Sequence, residues 1–136
     1  MELKKIKIMK WYLKVMSQYF NFSGRARRKE YWMFVLFYAL ILISASIIDN
    51  ITGWNFEYEM MGQTISTGYG WLYLITTLVH FFPALGAVVR RLHDVGKSGW
   101  MYLIIFIPII GFIWMLVLLV KDSQAGENKY GPNPKV

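Results

Sequence analysis

The chain contains no cysteine, which removes disulfides, thiol nucleophiles and thiolate metal sites from consideration. It has only two histidines, His80 and His93, and with no thiolate beside them the signal for a metal site is weak. No metal and no cofactor is therefore expected. Charge is also missing where it is informative. Residues 31–48 (YWMFVLFYALILISASII) carry none, and residues 49–70 carry Asp49, Glu57 and Glu59 but no Lys or Arg.

What remains is apolar, aromatic and basic. Hydrophobic residues make up 56% of the 136, aromatic residues 18%, and the mean hydropathy is +0.36. Average soluble domains sit near about 45–50% apolar, so the excess calls for a solvent other than water. Three stretches supply it, at residues 31–48, 71–89 (WLYLITTLVHFFPALGAVV) and 100–120 (WMYLIIFIPIIGFIWMLVLLV). Helical rise carries the first of them over about 27 Å, close to the hydrocarbon thickness of a bilayer. Pro83 should kink the second. Pro108 and Gly111 interrupt the third, which either crosses fully or is re-entrant, and the side on which the tail emerges depends on which.

Residues 3–20 (LKKIKIMKWYLKVMSQYF) place Lys7, Lys10, Lys14 and Gln18 on one helical face. Ile6, Met9, Tyr12, Leu13, Met16, Tyr19 and Phe20 take the other, and Trp11 falls near the lysines. Such a helix lies on an anionic leaflet or packs on the protein's own loops, and it can do both. Residues 21–30 read as a polar hinge, with Ser23 a candidate cap for the next helix. Residues 49–70 read as a loop in which Trp54, Phe56 and Tyr58 alternate as in a short interfacial hairpin. Residues 121–136 form a Gly/Pro/Asn-rich tail. The predicted fold is an all-α membrane protein, one domain over residues 1–136. It is a small bundle of about three transmembrane helices with a basic amphipathic interfacial helix before it.

Ser44-Ala45-Ser46 has the small-x-small form of a cleavage site. The basic region ahead of it is as long as a whole signal peptide, so the first span is expected to be an uncleaved anchor. The net charge is +7, and nine of the 15 basic residues lie within the first 30 positions. The turn at 90–99 adds Arg90, Arg91 and Lys97. By the positive-inside rule the N-terminus and this turn face the cytoplasm and the 49–70 loop faces out. With apolar spans beside it, the basic block points to anionic phospholipid rather than nucleic acid.

Two constellations stand out. Gly24-Arg25-Ala26-Arg27-Arg28-Lys29-Glu30 places guanidinium forks at headgroup depth, fit for phosphate oxygens or serving only as a topology signal. Arg90-Arg91-Leu92-His93-Asp94, with Lys97 and Ser98 following, gathers arginines, a histidine and a carboxylate in one turn. Arg25, Arg27, Arg28, Lys29, Arg90, Arg91, His93 and Lys97 are the candidate lipid or phosphate ligands. Glu30 and Asp94 are the candidate structural partners, each able to pair with an arginine of the opposite segment. Gly96-Lys97-Ser98 echoes a P-loop ending, but Arg91 stands where its first glycine belongs and no strand precedes it. His93 lacks a paired nucleophile, Ser98 reading better as a helix cap, so no catalytic residue is assigned. His80 is the one strongly polar side chain inside a span, with Thr76 or Thr77 as its expected partner.

These motifs taken together resemble a known family. Trp11 to Val15, Gly24 to Trp32, Arg90 to Asp94 with Ser98-Gly99-Trp100, Ile107-Pro108-Ile109-Ile110-Gly111 and the tail Gly126 to Pro134 match it in order. The chain is identified as resembling the YhaH-like bacterial inner-membrane family, domain-of-unknown-function family 805, from about Lys10 to Lys135. Lys129 and Asn133 depart from its commoner Arg and Asp. The resemblance implies a small inner-membrane protein and supplies no activity. The expectation is a non-enzymatic accessory or scaffold protein whose basic face binds anionic lipid or an acidic partner, self-associating or joined to a larger membrane protein. A small transporter component and a lipid-headgroup enzyme are the alternatives.

Overall fold

A computed structural model describes residues 2–136, with side chains from Met9 onward. The side chains of residues 1–8, including Ile6 and Lys7 of the predicted amphipathic face, lie outside the described residues. The element order is α1 (Glu2–Ser17), α2 (Arg28–Thr52), β1 (Asn55–Met60), β2 (Gln63–Gly70), α3 (Trp71–Asp94), a 3-10 helix (Gly99–Phe106) and α4 (Ile110–Val120). α2 and α3 are long and apolar enough to cross a membrane. Their apolar windows are only 17% and 28% buried, the reverse of a soluble core helix. The chain forms two compact units, Leu36–Phe81 and the pair of segments Met1–Val35 and Phe82–Val136.

In the two-segment unit, α1 packs through Val15, fully buried, and through Tyr12, which stacks on Phe34 with ring centroids 5.8 Å apart. Met9 and Leu13 stay exposed beside them. Trp11 sits near the lysines for a reason, since the Arg27 guanidinium lies 4.3 Å over its ring. Ser23 does not cap α2. The helix begins only at Arg28, and the Ser23 N–H instead bonds to Asn21 Oδ1 at 3.0 Å. Gly86 and Ala87 of α3 are buried, and Gly86 lies against the Asn21 carbonyl, too close for a larger side chain to enter without a shift.

The third apolar stretch is not one helix. Ser98 caps a 3-10 helix, α4 starts at Ile110, and the junction holds Pro108 and Ile109. Ile109 takes a φ of 64°, a conformation that costs a β-branched residue and sharply turns the chain. A Cβ on Gly111 would strike the Ile104 carbonyl, so glycine is needed where the two short helices meet.

The other unit corrects the all-α expectation. β1 and β2 form an antiparallel hairpin in which Tyr58 faces Ile65 and Glu57 faces Ser66. Gly62, at φ 77°, follows Met61, at φ 53°, in the tight turn. Tyr58 and Met60 fall on one face and Glu57 and Glu59 on the other, as alternation requires, while the register shifts between Asn55 and Glu57, at Phe56. The loop is also shorter than its sequence suggests, because Asp49, Asn50 and Thr52 remain helical. Asp49 explains why. Its buried carboxylate accepts the N–H groups of Gly70 (3.1 Å), Leu72 (3.0 Å) and Tyr73 (2.9 Å), capping α3, whose own first turn has no acidic residue. An anion at a helix N-terminus meets unpaired donors and the positive end of the dipole. Within the same unit Ser46 donates to the Gly68 carbonyl, and His80 bonds the Thr76 carbonyl through Nδ1 at 2.8 Å while stacking on Tyr38.

Candidate functional site

The two basic motifs meet within the two-segment unit. The Ala26 N–H bonds the Arg90 carbonyl at 3.0 Å, laying the Gly24–Lys29 segment along the end of α3. Arg25, Arg90 and Arg91 are all buried, and so are Glu30 and Asp94. Three buried guanidinium charges therefore face two buried carboxylates. Burying such charges is costly unless they are paired and hydrogen-bonded.

Asp94 is the centre. Its Oδ1 accepts from Arg25 Nε at 3.1 Å. Its Oδ2 accepts from Arg91 Nη1 and from Ser123 Oγ, each at 2.6 Å. Both carboxylate oxygens are thus occupied. The rest of Arg25 is spent on main-chain carbonyls of the tail: Gln124 at 2.6 Å, Gly126 at 2.8 Å and Gly131 at 3.2 Å. One planar fork gathers acceptors about a hundred residues away in sequence, which a lysine could not do. Arg91 turns to the C-terminal end of α4, donating to Leu119 (3.1 Å) and Lys121. Arg28 reaches Val120 at 3.3 Å and Trp32 Nε1 reaches Leu119 at 3.2 Å. Together two guanidiniums and an indole N–H satisfy the last carbonyls of α4, the guanidiniums bringing positive charge where the helix dipole is negative.

His93 belongs to the same lock. Its Nδ1 donates to the Gly24 carbonyl at 3.1 Å, and its ring stacks on Tyr130 with centroids 3.8 Å apart. Asn128 donates to the His93 carbonyl at 3.0 Å. His93 lies past the apolar run of α3, which ends at Val89. Burial lowers its pKa, the Gly24 carbonyl pulls it partly back, and Lys129 lowers it further. These effects favour the neutral ring, and the bond to the Gly24 carbonyl places the proton on Nδ1. His93 and Asp94 make no hydrogen bond to each other among the described residues.

Glu30 takes a different partner from the one expected. Lys14 of α1, not an arginine of the 90–99 turn, binds its Oε2 at 2.5 Å. Arg90 donates through Nη1 to the Asn21 carbonyl, while its Nε and Nη2 have no partner among the described residues. Arg28, Lys29 and Lys97 are exposed, and so are Lys10, Lys121 and Lys129. Lys135 pairs with exposed Asp122 at 2.5 Å and, as the main cause, lowers that carboxyl's pKa. The eight candidate ligands thus divide: Arg25 and Arg91 have their donors committed inside the protein, His93 and Arg90 are largely enclosed, Arg27 is stacked, and Arg28, Lys29 and Lys97 reach the surface.

Sequence reading did not foresee the tail as the acceptor of Arg25, nor Lys14, Ser123 and Tyr130 as members of the lock. The conspicuous Asn128-Lys129-Tyr130-Gly131-Pro132 string was the available signal. It forms a tight bridge between Asn128 and Gly131 that aims the Gly131 carbonyl at Arg25.

The family described as "Protein of unknown function (DUF805)" matches residues 19–132, a span that includes the whole lock except Lys14. The chain belongs to the DUF805 family. It is 42% identical to "Inner membrane protein YhaI" of Escherichia coli K12 over 127 residues, which cover 93% of this chain and 97% of that one. It is 38% identical to "Inner membrane protein YhaH" of the same strain over 128 residues, 94% and 98% of the two chains. A more distant relative, "Uncharacterized protein YiiR", is 25% identical over 138 aligned positions. No solved structure matches. As a DUF805 member with two membrane-length helices, the chain falls among inner-membrane proteins whose activity is unassigned.

Proposed function

We propose that this DUF805 chain is a non-enzymatic accessory protein of the inner membrane whose basic cytoplasmic face binds anionic phospholipid. The observation that carries this reading is the division of its charges. The groups best suited to chemistry are consumed internally: both oxygens of Asp94 are bonded, and His93 is held by Gly24 and Tyr130. Arg28, Lys29, Lys97 and Lys121 remain at the surface beside the ends of apolar helices. Each such cation near a bilayer adds about 1 kcal/mol of attraction to anionic headgroups. The N-terminus faces the cytoplasm in this reading and the hairpin faces out, supported by the basic N-terminal block and by the absence of Lys and Arg from residues 49–70.

The test compares wild type with a Lys29→Gln, Lys97→Gln, Lys121→Gln variant. Both are reconstituted in nanodiscs with zwitterionic lipid and trace fluorescent phosphatidylglycerol, and lipid enrichment around the protein is measured. Wild type should enrich the anionic lipid at low salt and the variant should not. Equal enrichment sinks the lipid-binding reading. Because Arg25 and Arg91 are left intact, the lock is preserved.

A further inference from the structure

We infer that residues 99–120 form a re-entrant hairpin that penetrates a single leaflet, so that this chain crosses the membrane twice and its tail emerges on the side of its N-terminal segment. The inference rests on membrane embedding and deepens the proposal above, but not on the lipid preference.

The lengths come first. A 3-10 helix of eight residues rises about 16 Å. The eleven residues of α4 rise about 16 Å as well. Neither reaches across a hydrocarbon core of about 30 Å, and each matches one leaflet. End to end the two would suffice for a crossing, so their arrangement decides.

They are folded back, not stacked end to end. Ile109, at φ 64°, reverses the chain, and Gly111 lies against the Ile104 carbonyl so closely that no Cβ fits. Both ends of the segment return to one place. At its start, Gly99 rests on the Val89 side chain, and the Lys97 N–H bonds the Leu92 carbonyl at 2.9 Å. At its finish, Arg91 binds the carbonyls of Leu119 and Lys121, and the Gln124 N–H bonds the Asp94 carbonyl at 2.9 Å. Entry and exit are both stitched to residues 89–94 of α3. A full crossing would leave them about 30 Å apart.

The surface of the hairpin fits acyl chains. Phe106, Ile109, Ile110, Phe112 and Ile113 are each more than half exposed. Irregular backbone at membrane depth must have its polar groups met. The turn largely does this itself. Pro108 brings no N–H, and the N–H groups of Ile107, Ile110 and Gly111 bond Ile104, Pro108 and Ile107 at 2.9, 2.7 and 3.0 Å. Lys97 and Lys121, exposed at the two ends, mark the level of the headgroups on one side only.

The lack of native cysteine makes the test direct. Single-cysteine variants Ser23→Cys, Gln63→Cys and Ala125→Cys, at exposed positions, are treated with a membrane-impermeant maleimide in intact spheroplasts and in inverted vesicles. Ala125→Cys should label in the same preparation as Ser23→Cys, and Gln63→Cys in the other. A C-terminal green fluorescent protein fusion, bright only in the cytoplasm, reads the tail again without labelling and should fluoresce. Labelling of Ala125→Cys alongside Gln63→Cys overturns the inference, as does a dark fusion that is correctly expressed in the membrane. Loss of anionic-lipid enrichment leaves these outcomes unaltered, so the two proposals fail separately.

Discussion

Replacing Arg25 by Gln removes the side chain that joins Asp94 to three main-chain carbonyls of the tail. The substitution leaves Asp94 with Arg91 and Ser123 but strips the carbonyls of Gln124, Gly126 and Gly131 of their shared donor. Hydrogen bonds to a charged group contribute roughly 1.5–3 kcal/mol each, so losing several from Arg25 costs roughly 3–5 kcal/mol. The lower figure raises the population with an open tail by about two decades, since each decade corresponds to about 1.4 kcal/mol. Tail opening is read by trypsin at Lys121 and Lys129, both exposed and beyond the apolar segments. Where closing outruns cleavage, the cut rate follows the open population. Arg25→Gln should therefore be cut about a hundredfold faster than wild type in mild detergent. Arg25→Lys keeps the charge on Asp94 but cannot span the carbonyls, and should fall between. Chymotrypsin cleavage at Tyr58 in the hairpin serves as control and should not change. A wild-type rate of tryptic cutting in Arg25→Gln would refute the claim that this guanidinium holds the tail.

Two further predictions concern single groups. Asp49→Ala removes a charged cap from three N–H groups and should destabilise by about 2 kcal/mol, seen as a lowered melting temperature in detergent, whereas Asp49→Asn should lose less. The pKa of His93 is lowered in the folded state from the ordinary 6.5, so its contribution is fully present above that value and is lost as pH falls toward the folded pKa. Tail cleavage should accordingly accelerate as pH drops below about 6.5, and His93→Gln should flatten that dependence.

The apolar runs were readable because length and the lack of charge are carried by residue identity alone. Their ends were not. Asp49 looked like the first residue of a loop, yet it stays helical because its carboxylate answers donors that appear only when α3 begins at Trp71. Arg90 to Asp94 looked like a turn, yet they continue α3 because their charges find partners in segments distant in sequence. The hairpin was suggested by the alternation of Trp54, Phe56 and Tyr58, and its Met61-Gly62 turn supplies the conformation that closes it. The Gly/Pro/Asn content of the tail argues against regular structure in it. It has no helix, but it is held at several main-chain carbonyls. Such acceptors exist in every residue and leave no mark in the sequence, so the donor Arg25 was visible while its partners were not. Pairing by charge alone also misassigned Glu30, because the α1 lysine reaches it and Arg90 goes to the Asn21 carbonyl instead.

The clamp of Arg25 also has a consequence in time. Its acceptor at Gly126 lies 101 positions later in the chain. At a synthesis rate of about 5–20 residues per second, that guanidinium waits roughly 5–20 s for this tail acceptor to be made. Asp94, 69 positions after Arg25, is made first, so the ion pair can form before the tail carbonyls exist. Only when the last residues arrive does the same side chain withdraw from solvent and close the assembly. The clamp is thus completed in stages, and a chain cut short before Gln124 would keep the ion pair to Asp94 and lack every tail acceptor of Arg25.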